Sequence, residues 1–127
     1  MGLLSKLFSS KPTVTPEHIE TRAQFDQQVV RSDLPVIVNI WSPTCAPCRR
    51  LVPELVATAT QHADSVRVVE IGTTAEPSLL GWLAVRATPT TIIYEGGKEL
   101  HRFTGYRSRG WFSEMIQAEF AAPEASA

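Results

Sequence analysis

Val36-Ile37-Val38-Asn39-Ile40-Trp41 is the richest apolar run of the chain. It is followed within four residues by Cys45-Ala46-Pro47-Cys48 and then by a long segment of helical apolar period. A short β-branched run of this kind reads as a buried central strand, and the periodic segment as an amphipathic helix. The order strand, cysteine turn, helix puts both thiols in the first helical turn, where residues three apart share a face and their sulfurs can meet. No other cysteine exists in the chain. Two thiols so spaced can open and close one disulfide with little backbone movement, so electron exchange with another protein's disulfide is the first functional hypothesis.

Composition narrows the alternatives. A chain of 127 residues, 43% hydrophobic and 20% charged, suits one domain around one core. The net charge of −1 gives no electrostatic reason to expect nucleic acid or an anionic membrane as partner. No apolar run has the length of a membrane span, so stable membrane insertion is not expected. Two cysteines cannot form a disulfide scaffold. The three histidines, His18, His62 and His101, are scattered and do not complete a zinc set, and each reads as a solvated surface residue. The segment Met1–Phe8 lacks the pattern of a secretory signal, and Lys6 stands where a myristoylation motif needs Ser or Thr. Leu3, Leu4, Leu7 and Phe8 could line a short helix, but residues 1–15 read as a flexible leader. A cytoplasmic location follows, where a CxxC is catalytic more often than structural.

The rest of the chain alternates in type. Glu17–Glu20 reads as a short edge strand. Thr21, with Gln24 three residues on, opens a capping box for a helix to about Arg31 that buries Phe25 and Val29. The helix after the cysteines should reach about His62, with Leu51, Leu55 and Val56 in its stripe. Val66–Ile71 is a second central strand and Pro77–Leu83 a short helix. Thr90–Tyr94 and Glu99–Thr104 are strands joined through Glu95-Gly96-Gly97-Lys98, a hairpin signal. Ser108 caps a last helix to about Phe120, with Trp111, Phe112, Met115 and Ile116 on its apolar face. Residues 16–120 form the domain and 121–127 a flexible tail. The order βαβαβαββα predicts parallel pairing with helices on both faces and an antiparallel edge from the final hairpin: an α/β three-layer sandwich around a mixed sheet.

At the cysteines, the free N–H groups and partial positive charge of a helix N-terminus should favour a thiolate on Cys45. Pro47 is tolerated there and stiffens the turn. Thr44 is the expected cap. Arg49 adds positive charge for the thiolate or a partner, whereas Arg50 reads as solvated. Pro53 inside the helix removes a hydrogen bond and should bend the axis.

Together these residues resemble the thioredoxin family. Trp41-Ser42-Pro43-Thr44-Cys45-Ala46-Pro47-Cys48-Arg49 is similar to its WxxxCxPC[K/R] segment. Pro53 matches its helix-kinking proline, Arg86-Ala87-Thr88-Pro89-Thr90 its cis-proline segment, and Glu95-Gly96-Gly97 and Gly105 its hairpin turn and late glycine. The resemblance covers roughly residues 16–120. It implies that Pro89 is cis and faces the CxxC, that the Thr88 backbone pairs with an extended client segment, and that Trp41 packs beside the disulfide. Thr44, Ala46 and Pro47 would complete the binding rim. Cys45 would attack a client disulfide and Cys48 would resolve the mixed disulfide. Client proteins carrying disulfides and a separate reductase of the kind that serves thioredoxins are the implied partners. The chain itself shows no flavin or nicotinamide motif, no cofactor is expected, and it should act as a monomer.

The chain also departs from that family. The usual buried Asp on the strand before the CxxC is Asn39 here, and the usual Lys on the neighbouring strand is Glu70. An amide is no base at neutral pH, so Glu70 is the candidate proton acceptor, acting through water, against a plain reading as a surface strand residue. Thr44 replaces an aromatic and Ala46 a glycine. The retained Pro47 suggests a potential at the reducing end, on the order of −220 to −270 mV. The first reading is a reductase of protein disulfides. A binding or adaptor module with a redox-sensing CxxC is the alternative. Lys98, Arg102, Arg107 and Arg109 form a basic stretch that reads as solvated charge.

Overall fold

The protein is described by a computed structural model covering residues 12–120. The apolar leader residues Leu3, Leu4, Leu7 and Phe8 and the small-residue tail lie outside the described residues. The elements are β1 (Glu17–His18), α1 (Arg22–Phe25, continued by a π-helical turn Asp26–Val30), β2 (Val36–Trp41), α2 (Ala46–Gln61), β3 (Arg67–Gly72), α3 (Pro77–Leu83), β4 (Thr90–Glu95), β5 (Lys98–Thr104) and α4 (Arg109–Glu119). Five strands form one mixed sheet in the order β1-β3-β2-β4-β5.

Alternation along the strands divides the core into two layers. Val36, Val38 and Ile40 face one side with Val69, Ile71, Ile92 and Tyr94, where Phe25 and Val29 of α1 and Leu79 and Leu83 of α3 cover them. Ile37, Val68 and Ile93 face the other side, under Leu51, Leu55 and Ala59 of α2 and Phe112 and Ile116 of α4. The period of two along β2 thus builds the three expected layers. The residue of β2 between Val38 and Ile40, Asn39, is 2% exposed. It alternates with Ile37 onto the α2 side, behind the cysteines.

Parallel pairing holds for β1–β3 and β2–β3. It fails for β4, which runs antiparallel to β2, as β5 does to β4. Strand–helix–strand alternation implies parallel strands only when the connection is a full crossover. Here α3 has seven residues and stops at Ala84, which is in the left-handed conformation. The chain then enters β4 from the end of the sheet where β2 leaves it. This reversal brings Pro89 to the cysteine end.

Local signals account for the element ends. Thr21 Oγ1 accepts from the Gln24 amide at 3.1 Å while Gln24 Oε1 accepts from the Thr21 amide at 3.2 Å, a complete capping box. The helix expected to run to Arg31 widens after Phe25, with the Arg31 amide bonded to the Asp26 carbonyl, five residues back, at 3.0 Å. The wider turn still buries Val29. Ser108 caps α4 through the Trp111 amide at 3.1 Å. Between α2 and α4, Glu54 accepts from the Arg109 amide at 2.7 Å and from its guanidinium at 3.0 and 3.2 Å. The Arg109 side chain holds the Glu54 carboxyl below its usual range. Ahead of β1, Thr60 Oγ1 on α2 accepts from the Val14 amide at 2.9 Å.

The hairpin turn places Gly96 and Gly97 both at positive φ, +60° and +81°, as a two-residue type I′ turn requires. A Cβ at Gly96 would meet nothing, whereas one at Gly97 would stand 3.2 Å from Val30 Cγ1 and 3.3 Å from the Val30 carbonyl oxygen. Gly97→Ala should therefore cost about 1–2 kcal/mol in urea denaturation, and Gly96→Ala less. Equal losses at the two positions would mean that contact with Val30 plays no part.

The surface charges are more engaged than the sequence suggested. His101 Nε2 lies 2.9 Å from Glu119 Oε2 and His62 Nε2 2.8 Å from Ser113 Oγ. Arg102 forms a fork on Glu99 with two bonds of 2.8 Å. The guanidinium of Arg107 lies over the Phe103 ring at 4.5 Å, and that of Arg50 over Tyr106 at 5.2 Å. Thus His62, His101, Arg50 and most of the basic stretch are not simply solvated. Each sits beside an acid, a hydroxyl or an aromatic ring, near in sequence for Arg102 and Arg107 and distant for His62, His101, Arg50 and Arg109.

Candidate active site

Cys45 and Cys48 are joined by a disulfide, with Cα atoms 5.2 Å apart. Cys45 itself is the N-cap of α2, where Thr44 was expected, and its Sγ accepts from the Cys48 amide at 3.2 Å. Thr44 stands one residue outside, in a turn where its amide reaches Ser42 Oγ at 3.4 Å. The sulfur takes the capping position because Cys45, not Thr44, is the last extended residue before the helix. Pro47 lies in the first turn without disturbing it, since amides there have no intrahelical partner. Pro53 sits inside a helix that continues unbroken to Gln61. Cys45 is 9% exposed and Cys48 4%, so the outer and inner members of the pair are those expected. Arg49 directs its guanidinium back to the Pro43 carbonyl at 3.4 Å.

Sheet register sets what surrounds the pair. Ile40 is paired with Thr90 and Trp41 with Gly72. The residues just before Thr90 therefore lie at the sheet end where β2 passes into the cysteine turn. The Thr88–Pro89 peptide is cis, as the resemblance implied. Pro89 is buried and Thr88 half-buried, and the Pro89 carbonyl accepts from the Gly105 amide at 2.9 Å. Thr44 and Ala46 are exposed and Pro47 half-buried. Trp41 lies against β3 at Gly72, where a Cβ would come within 3.0 Å of the indole. Glycine at this position is what gives the indole its seat.

Behind the disulfide lies a cavity of about 440 Å³. It brings together Trp41, Cys48 and Glu70 of the expected site, along with Asn39 and His18. Thr44, Ala46, Pro47, Thr88 and Pro89 do not line it. Two faces of the site are thus distinct: an outer rim, and an inner chamber that reaches Cys48. Asn39 and Glu70 are direct neighbours across β2 and β3. The Asn39 Nδ2 and Trp41 Nε1 donors are buried without a protein partner. The Glu70 side chain is 22% exposed and thus half-buried. Burial pushes its carboxyl above the usual range, opposed by the charge of His18.

His18 is the residue the sequence reading missed. Its Nδ1 lies 3.4 Å from Glu70 Oε1 and its ring centroid 6.1 Å from that of Trp41. No local signal marks it. The contact arises only because β1 joins the sheet beside β3 with His18 in register with Glu70.

This geometry agrees with the comparisons. The sequence model of the Thioredoxin family matches residues 17–118. Thioredoxin 1 of Synechococcus elongatus is 36% identical over 85 residues, covering 67% of this chain and 79% of that protein. The thioredoxin of Alicyclobacillus acidocaldarius is 33% identical over 101 residues, covering 80% and 91%. Among solved structures, the thioredoxin of Malassezia sympodialis (Mala s 13) superposes with a TM-score of 0.73, covering 85% of this chain and 92% of that one. At 19% identity it speaks for the fold alone. The chain belongs to the thioredoxin family. With its cysteines paired at the helix N-terminus, it is a thiol–disulfide oxidoreductase that reduces protein disulfides, and a purely adaptor role is not favoured. Among the described residues, no helix is long and apolar enough to cross a membrane.

Proposed function

We propose that Glu70 replaces the family's buried Asp as the acceptor of the Cys48 proton, and that the remaining site residues take the roles their positions suggest. The observation that carries the reading is the shared chamber: the Glu70 carboxyl and Cys48 line one cavity, and Asn39, beside Glu70, cannot accept a proton at neutral pH. Cys45 attacks a client disulfide, forming the Cys45–client bond and releasing one client thiolate. Glu70 then takes the thiol proton of Cys48, through water in the chamber. The Cys48 thiolate attacks Cys45 Sγ, the Cys45–client bond breaks, and the second client sulfur leaves as thiolate. The client gains two electrons and the protein returns to the disulfide.

On the outer face, the Thr88 backbone takes an extended client segment, beside Pro89 and the rim of Trp41, Thr44, Ala46 and Pro47. The helix N-terminus favours negative charge on Cys45. Working as a monomer in the cytoplasm, the protein receives electrons from a separate reductase and passes them to client disulfides. Residues 16–120 are the working domain.

The test follows from the direction of the Glu70 shift. A carboxyl held above its usual range is protonated, and so cannot accept, over a wider acid range. Release of client from the mixed disulfide should slow as pH falls through that raised value. Glu70→Gln should remove this dependence and slow release about 100-fold at neutral pH, the low end for a positioned base. Stability moves the opposite way. A raised carboxyl pKa contributes stability below the unfolded-state value that is lost as pH rises through the folded-state value. Glu70→Gln should thus be more stable than the natural protein at neutral pH, with the difference vanishing in acid. An unchanged pH–rate profile in Glu70→Gln would sink the proposal.

A further inference from the structure

The Glu70 proton must leave the chamber before the next cycle, and the geometry points to a route. We propose that His18 is the proton exit of the site, taking from Glu70 the proton that came from Cys48 and delivering it to solvent. The inference rests on the Glu70 reading above and extends it to the far end of the transfer.

Position is the first argument. The Glu70 side chain is 22% exposed, whereas that of His18 is 56% exposed, so the pair runs from the half-open cavity outward to solvent. His18 Nδ1 is 3.4 Å from Glu70 Oε1. Both residues and Cys48 line the same cavity. The second argument is orientation. Register between β1 and β3 sets the backbone of His18 opposite Glu70. The Trp41 ring lies beside the imidazole at 6.1 Å, inclined by 31°. Chemistry is the third. An imidazole is the side chain that takes up and gives up protons near neutral pH. The protonated carboxyl donates to an unprotonated Nδ1, and Nε2 on the far side of the ring then loses its proton to water. The step moves one proton and no electrons.

The surroundings leave few competitors for that proton. Among the described residues, the charged or titratable groups lining the cavity are His18 from β1, Cys48 and Arg49 from α2, and Glu70 itself from β3. Asn39 from β2 adds only an amide. Arg49 bonds the Pro43 carbonyl and has no proton to exchange at neutral pH. Glu17, next along β1, is instead 3.9 Å from Arg67. Burial raises the Glu70 carboxyl above its usual range, which makes the first transfer, from the Cys48 thiol to Glu70, less uphill.

The experiment isolates the resolving step. Cys45 is loaded with a thionitrobenzoate group in acid, where Glu70 starts protonated, and on a jump to neutral pH the release, which needs that proton to leave first, is followed by absorbance at low buffer concentration. His18→Ala should release the chromophore about tenfold more slowly, the effect being limited because water replaces part of the relay. Free imidazole should restore the rate of His18→Ala in proportion to its concentration and leave the natural protein unaffected. His18→Gln, which keeps a polar side chain but cannot titrate, should be as slow as His18→Ala. The double variant with Glu70→Gln should be no slower than Glu70→Gln alone. If Glu70→Gln releases at the natural rate, the Glu70 reading fails and this one with it. If Glu70→Gln is slow but His18→Ala is not, or His18→Ala is slow and imidazole does not rescue it, the exit role alone is overturned.

Discussion

A Cys48→Ser variant should accumulate a covalent adduct between Cys45 and its client and lose multiple turnover by about a thousandfold or more, as expected when a group acting directly in bond exchange is removed. The first attack needs only Cys45, which caps α2 and is the more exposed of the pair. The second needs a thiolate at position 48, and a serine hydroxyl does not displace a thiol from a disulfide. Cys48 is 4% exposed and lines the chamber, so serine fits its space while stopping the chemistry. Cys45→Ser should lose turnover equally but form no adduct. Insulin reduction with dithiothreitol measures turnover, and non-reducing gels measure adduct. An adduct on Cys48 in the Cys45→Ser variant would reverse the two roles. The captured clients would also identify what the outer rim recognises.

How much of this could be read from the chain differs by level. Elements were legible because their signals are local: the Val36–Trp41 run became β2 residue for residue, and the Thr21–Gln24 box and the Ser108 cap form as expected. The cysteine pair was legible for the same reason, since its spacing alone places both sulfurs at one helix end. What could not be read depends on contacts distant in sequence. Thr44 satisfied every rule for an N-cap, but the last extended residue before the helix was decided by where β2 releases the chain, and the cap fell to Cys45. His18 is solvated as read, but its contact with Glu70 was not legible, because Glu70 lies across a strand pairing that no local pattern announces. The antiparallel entry of β4 was hidden by an alternation that usually signals parallel strands. Asn39 and Glu70 were marked by departing from an expected pattern, which a periodicity argument cannot supply. Register then made them neighbours. The outer rim is the least resolved part, because an extended client bound through backbone leaves little side-chain signature.

Phe112→Ala should cost about 3–5 kcal/mol, a large share of the 5–15 kcal/mol typical of a domain. Phe112 is 0% exposed and sits in the layer formed by α2, α4, Ile37 of β2 and Ile93 of β4. Its ring meets Trp111 edge-on at 5.3 Å and Phe103 at 6.3 Å. The cavity left by alanine would be walled by a sheet on one side and a helix on the other, neither free to collapse into it. Trp111 is 37% exposed, so Trp111→Ala should cost less despite removing more atoms. The consequence reaches the site, because α2 carries the cysteines at its first turn and holds α4 through Glu54 and Arg109. Loosening α4 should loosen the seat of α2 while leaving the opposite layer, under α1 and α3, intact. Urea denaturation should show the loss of stability, and hydrogen exchange should show it concentrated in α2 and α4 rather than in Phe25 and Val29. A loss below about 1 kcal/mol would mean that the layer under α2 is not packed as described. Equal loosening of both layers would mean that they do not respond separately.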